Sequence, residues 1–159
     1  MVDDFPGLYG CQVGADLAVH EHDIRGALRS PGARQSPAVA VSMDFVFAGI
    51  VGPGAVALGL GPVTFASASK QWTVGGNGPA SGDPDAAIAA AIAGAGTATF
   101  ARGAPVATVT ADGFDLFRAL TGRRSSKQVR CFDWSADPTR YLPLFGLWPF
   151  TVRETDLLE

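Results

Sequence analysis

The spacing of apolar residues predicts a helix close to the start of the chain. Over residues 15–29, Leu17, Ile24 and Leu28 recur at intervals compatible with one face of a helix. The Ser30–Gly32 segment, which contains a proline and a glycine, ends this helix. We therefore expect Leu17, Ile24 and Leu28 to form the apolar face of the first helix.

A second helix is predicted from residue 36 to about residue 49. Ser36 is a preferred N-cap residue, and Pro37 suits the first helical position. The apolar side of this helix carries Val39, Met43, Val46 and Phe47. The following Val51–Gly54 segment, VGPG, is typical of a helix break. We therefore place a domain boundary there, with a helical segment over residues 1–52 and a second domain over residues 53–159.

Beyond residue 54 the apolar pattern changes from a helical to an extended period. Strands are predicted over residues 55–60, 62–69, 71–74, 96–102 and 105–110. Helices are predicted over residues 85–93, 113–120, 125–132 and 137–144. Short connections between strands adjacent in sequence favour a mostly antiparallel sheet with helices on one face. The expected fold class is therefore α+β, preceded by the two N-terminal helices.

Composition and charge exclude some classes of protein. The 159-residue chain is 47% hydrophobic, which argues against a fully disordered chain, and its net charge of −3 argues against a nucleic-acid binder. The two cysteines, Cys11 and Cys131, lack the density and spacing of a disulfide framework. We expect both to be free thiols, with Cys11 exposed and Cys131 buried as a small apolar residue.

Nothing in the sequence predicts a membrane span or a secretory signal. The most apolar segment, residues 45–60, is interrupted by several glycines and a proline and falls short of the ~18 residues that a span needs. The first four residues are acidic and are not followed by an apolar signal region. We therefore expect a soluble cytoplasmic protein.

Two parts of the sequence resemble a known family. The segment VHEHDIRGAL at residues 19–28, followed by RSPGAR, resembles the end of the metal-binding helical domain of the mycothiol-dependent maleylpyruvate isomerase family. The segment ATVTADGFDLFRALTGRRS at residues 107–125, with FDW at 132–134 and TVRETDLLE at the end, resembles that family's C-terminal domain. The resemblance implies a sterol-carrier-protein-like fold for that domain.

The resemblance also implies cofactors and metal ligands. Family members begin with a four-helix bundle similar to DinB proteins, and by this comparison three of those helices are expected to be missing here. In the isomerase a zinc ion is held by one early histidine and a Glu-x-x-x-His pair on the last helix. The matching positions are Asp16 and His20, where Asp16 departs from the glutamate. Zinc and mycothiol are thus the cofactors that the resemblance implies.

Asp16 and His20 support more than one interpretation from their chemistry alone. Residues four apart lie on one helix face, where a carboxylate and an imidazole can share a divalent ion. Zinc enzymes normally use three protein ligands, however, so the pair is incomplete. It is a solvated polar helix end, a local ion pair, or half of a site that an oligomer completes. We favour the solvated end and expect no cofactor and no stoichiometric zinc in the isolated chain.

A basic run follows the predicted helix at 113–120. It contains Arg118, Arg123, Arg124, Lys127 and Arg130. Arg123 and Arg124 are candidates for binding a carboxylate or phosphate. The alternative, which we favour, is a solvated face in which these two arginines compensate the dipole of the preceding helix.

Three classes of function remain. The first is a small-molecule or lipid-binding module without self-contained catalysis, with an apolar ligand site lined by Phe114, Phe117, Leu120, Val129 and Phe132. The second is a metal-dependent and mycothiol-dependent isomerase or transferase whose site is completed by another chain. The third is a partner-binding fragment of a split system. If the second helix has lost its bundle partners, its apolar side is exposed, so we also expect a homo-oligomer through residues 15–50.

Overall fold

The computed structural model describes residues 8–76, 82–93, 101 and 104–157. The fold begins with two helices that pack against each other. Helix α1 spans Leu8–Ala27 and helix α2 spans Pro37–Val46. Ser36 caps α2 as predicted, because its side-chain oxygen accepts a hydrogen bond of 3.3 Å from the backbone N–H of Val39. The sequence therefore located the start of α2 correctly.

The predicted break after residue 50 does not occur. Helix α2 continues as a π-helical turn, Phe47–Val51, and then as helix α3, Gly52–Ala57. A proline inside a regular α-helix loses one backbone hydrogen bond and clashes with the preceding turn. The wider π turn directly before Pro53 relieves both problems, because it changes the backbone pairing at that point. The strand predicted over residues 55–60 is therefore wrong.

A continuous helical segment of 21 residues, Pro37–Ala57, results. By length and composition it could cross a membrane, but 72% of its most apolar 18-residue window is buried inside the fold. This is the pattern of a core helix in a soluble protein. The proposed domain boundary at residues 52/53 falls within this segment, and the division into two domains stays a prediction.

A four-stranded mixed sheet forms the other part of the fold. Its strands are β1 (Val63–Ala66), β2 (Gln71–Val74), β3 (Ala107–Thr110) and β4 (Asp133–Trp134), in the spatial order β2-β1-β3-β4. Strand β1 is antiparallel to β2 and parallel to β3, and β3 is antiparallel to β4. The α+β class with mostly antiparallel pairing is confirmed. Strand β4 was not predicted, and the strand predicted over 96–102 lies outside the described residues except for residue 101.

Three further helices lie close to their predicted positions. They are α4 (Pro84–Ile92), α5 (Gly113–Leu120) and α6 (Ser126–Arg130). Each begins after a residue whose side chain accepts a hydrogen bond from the first turn, namely Asp83, Asp112 and Ser125. The helix predicted over 137–144 is instead two short 3₁₀ turns, Pro138–Arg140 and Leu142–Phe145. Pro143 lacks the N–H that a continuous helix needs there.

The apolar side of α2 is part of the hydrophobic core. Val39, Met43, Val46 and Phe47 are at most 5% exposed, so the prediction that they form an exposed patch is wrong. Phe47 stacks on Trp72 of β2, with ring centroids 4.6 Å apart. Helix α1 covers α2 on one side and the sheet covers the π turn on the other, which explains why this surface is closed without a second chain.

The face of α1 that packs on the core is not the one with its largest apolar residues. Ala15, Ala18 and Val19 are buried, whereas the large residues Val13, Leu17, Ile24 and Leu28 are 60–71% exposed. Small side chains let two helices approach closely, so α1 and α2 pack through the alanine face. We call the exposed row of Val13, Leu17, Ile24 and Leu28 the α1 stripe.

Candidate functional site: an arginine-lined cavity

The predicted metal pair lies on the exposed side of α1. His20 Nε2 is 3.4 Å from Asp16 Oδ1, and the two side chains are 62% and 70% exposed. In the described part of the chain, no three side chains of the His, Cys, Asp and Glu types gather to hold a metal ion. The pair has the geometry of a surface ion pair, and metal binding stays a prediction.

Asp23 joins α1 to the basic run that follows α5. Its two carboxylate oxygens lie 2.8 Å from Nη2 of Arg118 and 2.8 Å from Nη2 of Arg123. Burial raises the pKa of Asp23. Hydrogen bonds from Arg123 and Arg118 and the positive charges of these residues lower the pKa by more than burial raises it, so the pKa of Asp23 lies below its ordinary value. We call Asp23, Arg118 and Arg123 the Asp23 triad; it keeps the carboxylate ionised.

The two predicted anion-binding arginines have carboxylate partners within the chain. Arg123 binds Asp23, and Arg124 lies 2.8 Å from Asp115. Arg118 is fully buried and Arg124 is 6% exposed, so the interpretation of the run as a solvated face is wrong at these positions. Arg123 does donate a hydrogen bond to the carbonyl of Thr121 at the end of α5, which agrees with the predicted compensation of the helix dipole.

The residues predicted to line an apolar ligand site belong to the hydrophobic core. Phe117, Leu120 and Val129 are at most 2% exposed, and Phe114 is 5% exposed. Phe132 is partly buried and packs against the same core. Because these side chains fill space between the helices and the sheet, binding of an apolar ligand there stays a prediction without geometric support.

Both cysteines are free thiols, as expected, but their exposure differs from the prediction. Cys131 is exposed and Cys11 is partly buried. Cys131 directly follows α6, where Val129 takes the buried position of the last turn. The expectation that Cys131 is a buried apolar residue is therefore wrong.

A cavity of about 160 Å³ lies where the end of α1, the following loop and α5 meet. It is lined by His22, Arg25, Gly26, Arg29, Pro31, Gly32, Arg34 and Phe114. Three of these side chains are guanidinium groups, and none is acidic. We call this space the arginine cavity.

Ring contacts and a hydrogen bond hold the side chains that line the arginine cavity in place. The buried His22 ring meets Phe114 edge-on, with centroids 4.6 Å apart, and the Arg34 guanidinium lies over the Phe114 ring, 4.5 Å from its centroid. Arg25 Nε donates a 2.8 Å hydrogen bond to Glu21. Gly32 leaves room for Arg25, because a Cβ at residue 32 would lie 3.3 Å from Arg25 Nη1.

Arg29 has an unusual backbone conformation. It follows the last turn of α1 with φ of 51°, in the left-handed region that glycine normally occupies at this position. Its N–H bonds to the carbonyl of Gly26, and the N–H of Ser30 bonds to that of Arg25, which is the Schellman pattern of a helix end. A side chain in this conformation costs about 1–2 kcal/mol. Such strain concentrates at functional sites.

The side chains that line the cavity suit the binding of an anion. Guanidinium groups hold carboxylates and phosphates through paired, charge-assisted hydrogen bonds. Glu21 and Asp115 offset the charges of Arg25 and Arg34 from outside the cavity, whereas no acidic side chain of the described residues pairs with Arg29. The arrangement suits a small anion.

Sequence reasoning missed this site. The densest group of basic residues along the chain is the run after residue 117, whereas Arg25, Arg29 and Arg34 are spread over a helix end and a loop. A signal was present: Arg29 follows the last helical residues, where glycine is typical, and the SPG segment after it turns the chain back toward α1.

Comparison with known proteins adds no identification. No family model, curated protein or solved structure matches the chain. The resemblance to the mycothiol-dependent maleylpyruvate isomerase family therefore stays a prediction.

Proposed function

We propose that this chain is a small-molecule-binding module that holds an anionic ligand in the arginine cavity. The observation that carries the proposal is the convergence of Arg25, Arg29 and Arg34 on one cavity without an acidic lining residue. The left-handed backbone at Arg29 supports it, since glycine would relieve that strain but would remove a cation from the cavity. Both cysteines being free thiols is in keeping with a cytoplasmic location, which we propose as well.

The metal-dependent enzyme and the predicted apolar-ligand site have less support from the geometry. An isomerase or transferase that uses zinc and mycothiol needs ligands beyond Asp16 and His20. The carboxylate of Asp23 lies 3.8 Å from Nδ1 of His20, but it is paired with Arg118 and Arg123. A binding site for an apolar ligand needs open space among Phe117, Leu120 and Val129, all of which are buried core residues. A module that binds a small anion in the arginine cavity requires neither additional metal ligands nor open space in the core.

Replacing Arg29 by glycine should change anion binding and the stability of the fold in opposite directions. We expect Arg29→Gly to weaken binding of inorganic phosphate and acetate at least tenfold, as about 1.4 kcal/mol of lost charge-assisted hydrogen bonding requires. The same change should raise the melting temperature by roughly 1–4 °C, because relief of the left-handed strain is worth about 0.5–1 kcal/mol after the entropic cost of glycine. Isothermal titration calorimetry and thermal unfolding, both at low salt, measure the two effects.

Ala33 provides the matched control. It also has a positive φ, 54°, and is exposed, but it does not line the cavity. We expect Ala33→Gly to stabilise the fold similarly and to leave anion binding unchanged. Equal anion affinity of Arg29→Gly and the unaltered chain, or no binding of either anion by the unaltered chain, would contradict the proposed function.

A second candidate function, self-association, is favoured by the α1 stripe. The stripe residues Val13, Leu17, Ile24 and Leu28 are exposed on one helix face, and their positions are symmetric about the midpoint between residues 20 and 21. A two-fold antiparallel pair of helices requires this symmetry, since each residue of one copy must meet its counterpart of the other. The stripe gives the predicted homo-oligomer a surface other than the buried side of α2.

We expect the chain to dimerise at micromolar concentration and Leu17→Glu to abolish the dimer, because the charge would be buried against a second apolar helix. Val41→Glu is the control, as Val41 is also an exposed apolar residue, at 48%, but lies on α2 outside the stripe. Size-exclusion chromatography with light scattering distinguishes the outcomes. A monomeric unaltered chain throughout the micromolar range would refute self-association.

A further inference from the structure

Arg34 and Phe114 line two neighbouring spaces. One is the arginine cavity, and the other is a groove of about 520 Å³ between the first turns of α2, the β1–β2 turn and the start of α5. The groove is lined in part by Val39, Ala40, Met43, Ser67, Trp72 and Gly113. Since the Arg34 guanidinium lies 4.5 Å above the Phe114 ring, the two residues mark the junction between the cavity and the groove.

The sizes of the two spaces indicate what each can hold. Sites for small organic ligands usually measure roughly 300–1,000 Å³. The arginine cavity, at about 160 Å³, is below this range and has room for an anionic head group only. The cavity and the groove together fall within the range. A ligand that uses both therefore has the size of an ordinary metabolite.

The groove differs from the cavity in its chemistry. Val39, Met43 and Trp72 form the apolar floor of the groove, although each is at most 6% exposed. Ser67, on the turn between β1 and β2, adds a hydroxyl that already bonds to the backbone of Lys70. Lys70 is neutralised by Asp44, with Nζ 2.6 Å and 2.7 Å from the two carboxylate oxygens. Asp112 also lines the groove, and its carboxylate accepts hydrogen bonds from the backbone N–H groups of Phe114 and Asp115. The groove therefore suits an uncharged, partly apolar group better than a second anionic group.

We infer that the ligand is an organic anion with two parts: a phosphate or carboxylate head in the arginine cavity and an uncharged aryl or alkyl body that passes Phe114 into the groove. This inference rests on the proposed function and specifies the class of ligand. Arg34 serves both parts, because it lines both the arginine cavity and the groove.

A series of simple ligands tests the inference. Calorimetric titration compares inorganic phosphate with phenyl phosphate and 1-naphthyl phosphate, and in parallel acetate with benzoate and 1-naphthoate. We expect the naphthyl compounds to bind at least tenfold more tightly than the simple anion of the same series. The series that shows the larger gain identifies the head group as phosphate or carboxylate.

A variant that blocks the groove makes the test specific. Ala40 is exposed and lines the groove, so Ala40→Trp should fill it and reduce the affinity for the naphthyl compounds to that for the simple anions, which themselves should bind as before. Ala38→Trp is the matched control, because Ala38 is exposed on the same helix and does not line the groove. It should leave all affinities unchanged.

The possible failures are distinguishable. If the simple anions bind and lose affinity in Arg29→Gly, but the aryl compounds bind no better or are unaffected by Ala40→Trp, the two-part ligand is refuted and the proposed function stands. If neither the simple nor the aryl anions bind the unaltered chain, both are refuted. Thermal unfolding of each variant verifies that an affinity change does not result from loss of the fold.

Discussion

Asp23→Asn should destabilise the fold by about 2–3 kcal/mol. Removing one partner of a buried ion pair costs about 3–5 kcal/mol, and we take a lower value because the Asp23 side chain is 34% exposed. The loss arises mainly at Arg118, whose side chain is fully buried and would lose its ion pair with Asp23. For a chain of this size the melting temperature should fall by roughly 4–12 °C.

The pH dependence of this effect has a defined sign. Because the pKa of Asp23 is lowered in the fold, the stability that it contributes is fully present above the unfolded pKa of about 3.9. It is lost as the pH falls through the lower folded pKa. Denaturant unfolding from neutral pH to pH 3 should therefore show the gap between the unaltered chain and Asp23→Asn narrowing only below about pH 4.

Asp16 supplies the control for Asp23. It lies on the same helix, is 70% exposed and pairs with His20 alone among the described residues. Asp16→Asn should change stability by less than about 0.5 kcal/mol, as is usual for exposed pairs. If Asp16→Asn and Asp23→Asn have equal effects, the Asp23 triad does not hold α1 to the basic run as we describe.

Phe117→Ala should destabilise the fold by about 3–5 kcal/mol, the usual cost of replacing a buried phenylalanine by alanine. Phe117 is 0% exposed and belongs to the same core as Leu120 and Val129. The loss combines the transfer energy of the ring with the cavity that remains, because the surrounding helices and sheet can close it only in part. Chemical denaturation at neutral pH measures the effect.

Phe132 tests whether burial determines the size of the loss. It belongs to the set predicted to line an apolar ligand site but is only partly buried, so Phe132→Ala should cost roughly half as much. A filled core also predicts no thermal stabilisation of the unaltered chain by fatty acids or sterols, since no bound state is available to be favoured. A clear stabilisation by either would show that the core opens, and would restore the apolar-ligand hypothesis.

The starts of several helices could be located from sequence because they depend on local chemistry. Ser36, Asp112 and Ser125 each accept a hydrogen bond from a backbone N–H no more than three residues away. Such a bond needs only the right residue at the right offset, so it leaves a signature in the sequence. Strand β2 could also be located from local sequence, because its residues QWTV have strand propensity and are followed by two glycines.

The effect of glycine and proline could not be predicted from their local preferences. Gly52, Pro53 and Gly54 have the composition of a helix break, yet they continue a helix because a π turn precedes Pro53. Gly54 is required for packing: a Cβ at this position would lie 2.4 Å from Cδ1 of Leu147. Leu147 is more than ninety positions away in sequence, and no local pattern could show that contact.

The arginine cavity likewise depends on parts of the chain that are distant in sequence. Arg25, Arg29 and Arg34 lie within ten residues, but Phe114 of α5 forms the wall against which Arg34 and His22 are placed. The sequence indicated Arg123 and Arg124 instead, because they belong to the denser basic run along the chain. The basic run that it found instead pairs with Asp23 and Asp115.

The sequence by itself determined the α+β class and most helix starts, because these follow from caps, turn residues and the period of apolar positions. The tertiary structure alone decided which side of α1 is buried. Their size and spacing made Leu17, Ile24 and Leu28 the expected buried face of α1. Ala15 and Ala18 are buried instead, because their small side chains allow a closer approach to α2. Packing depends on the shape of both surfaces, and the sequence of one helix describes only its own.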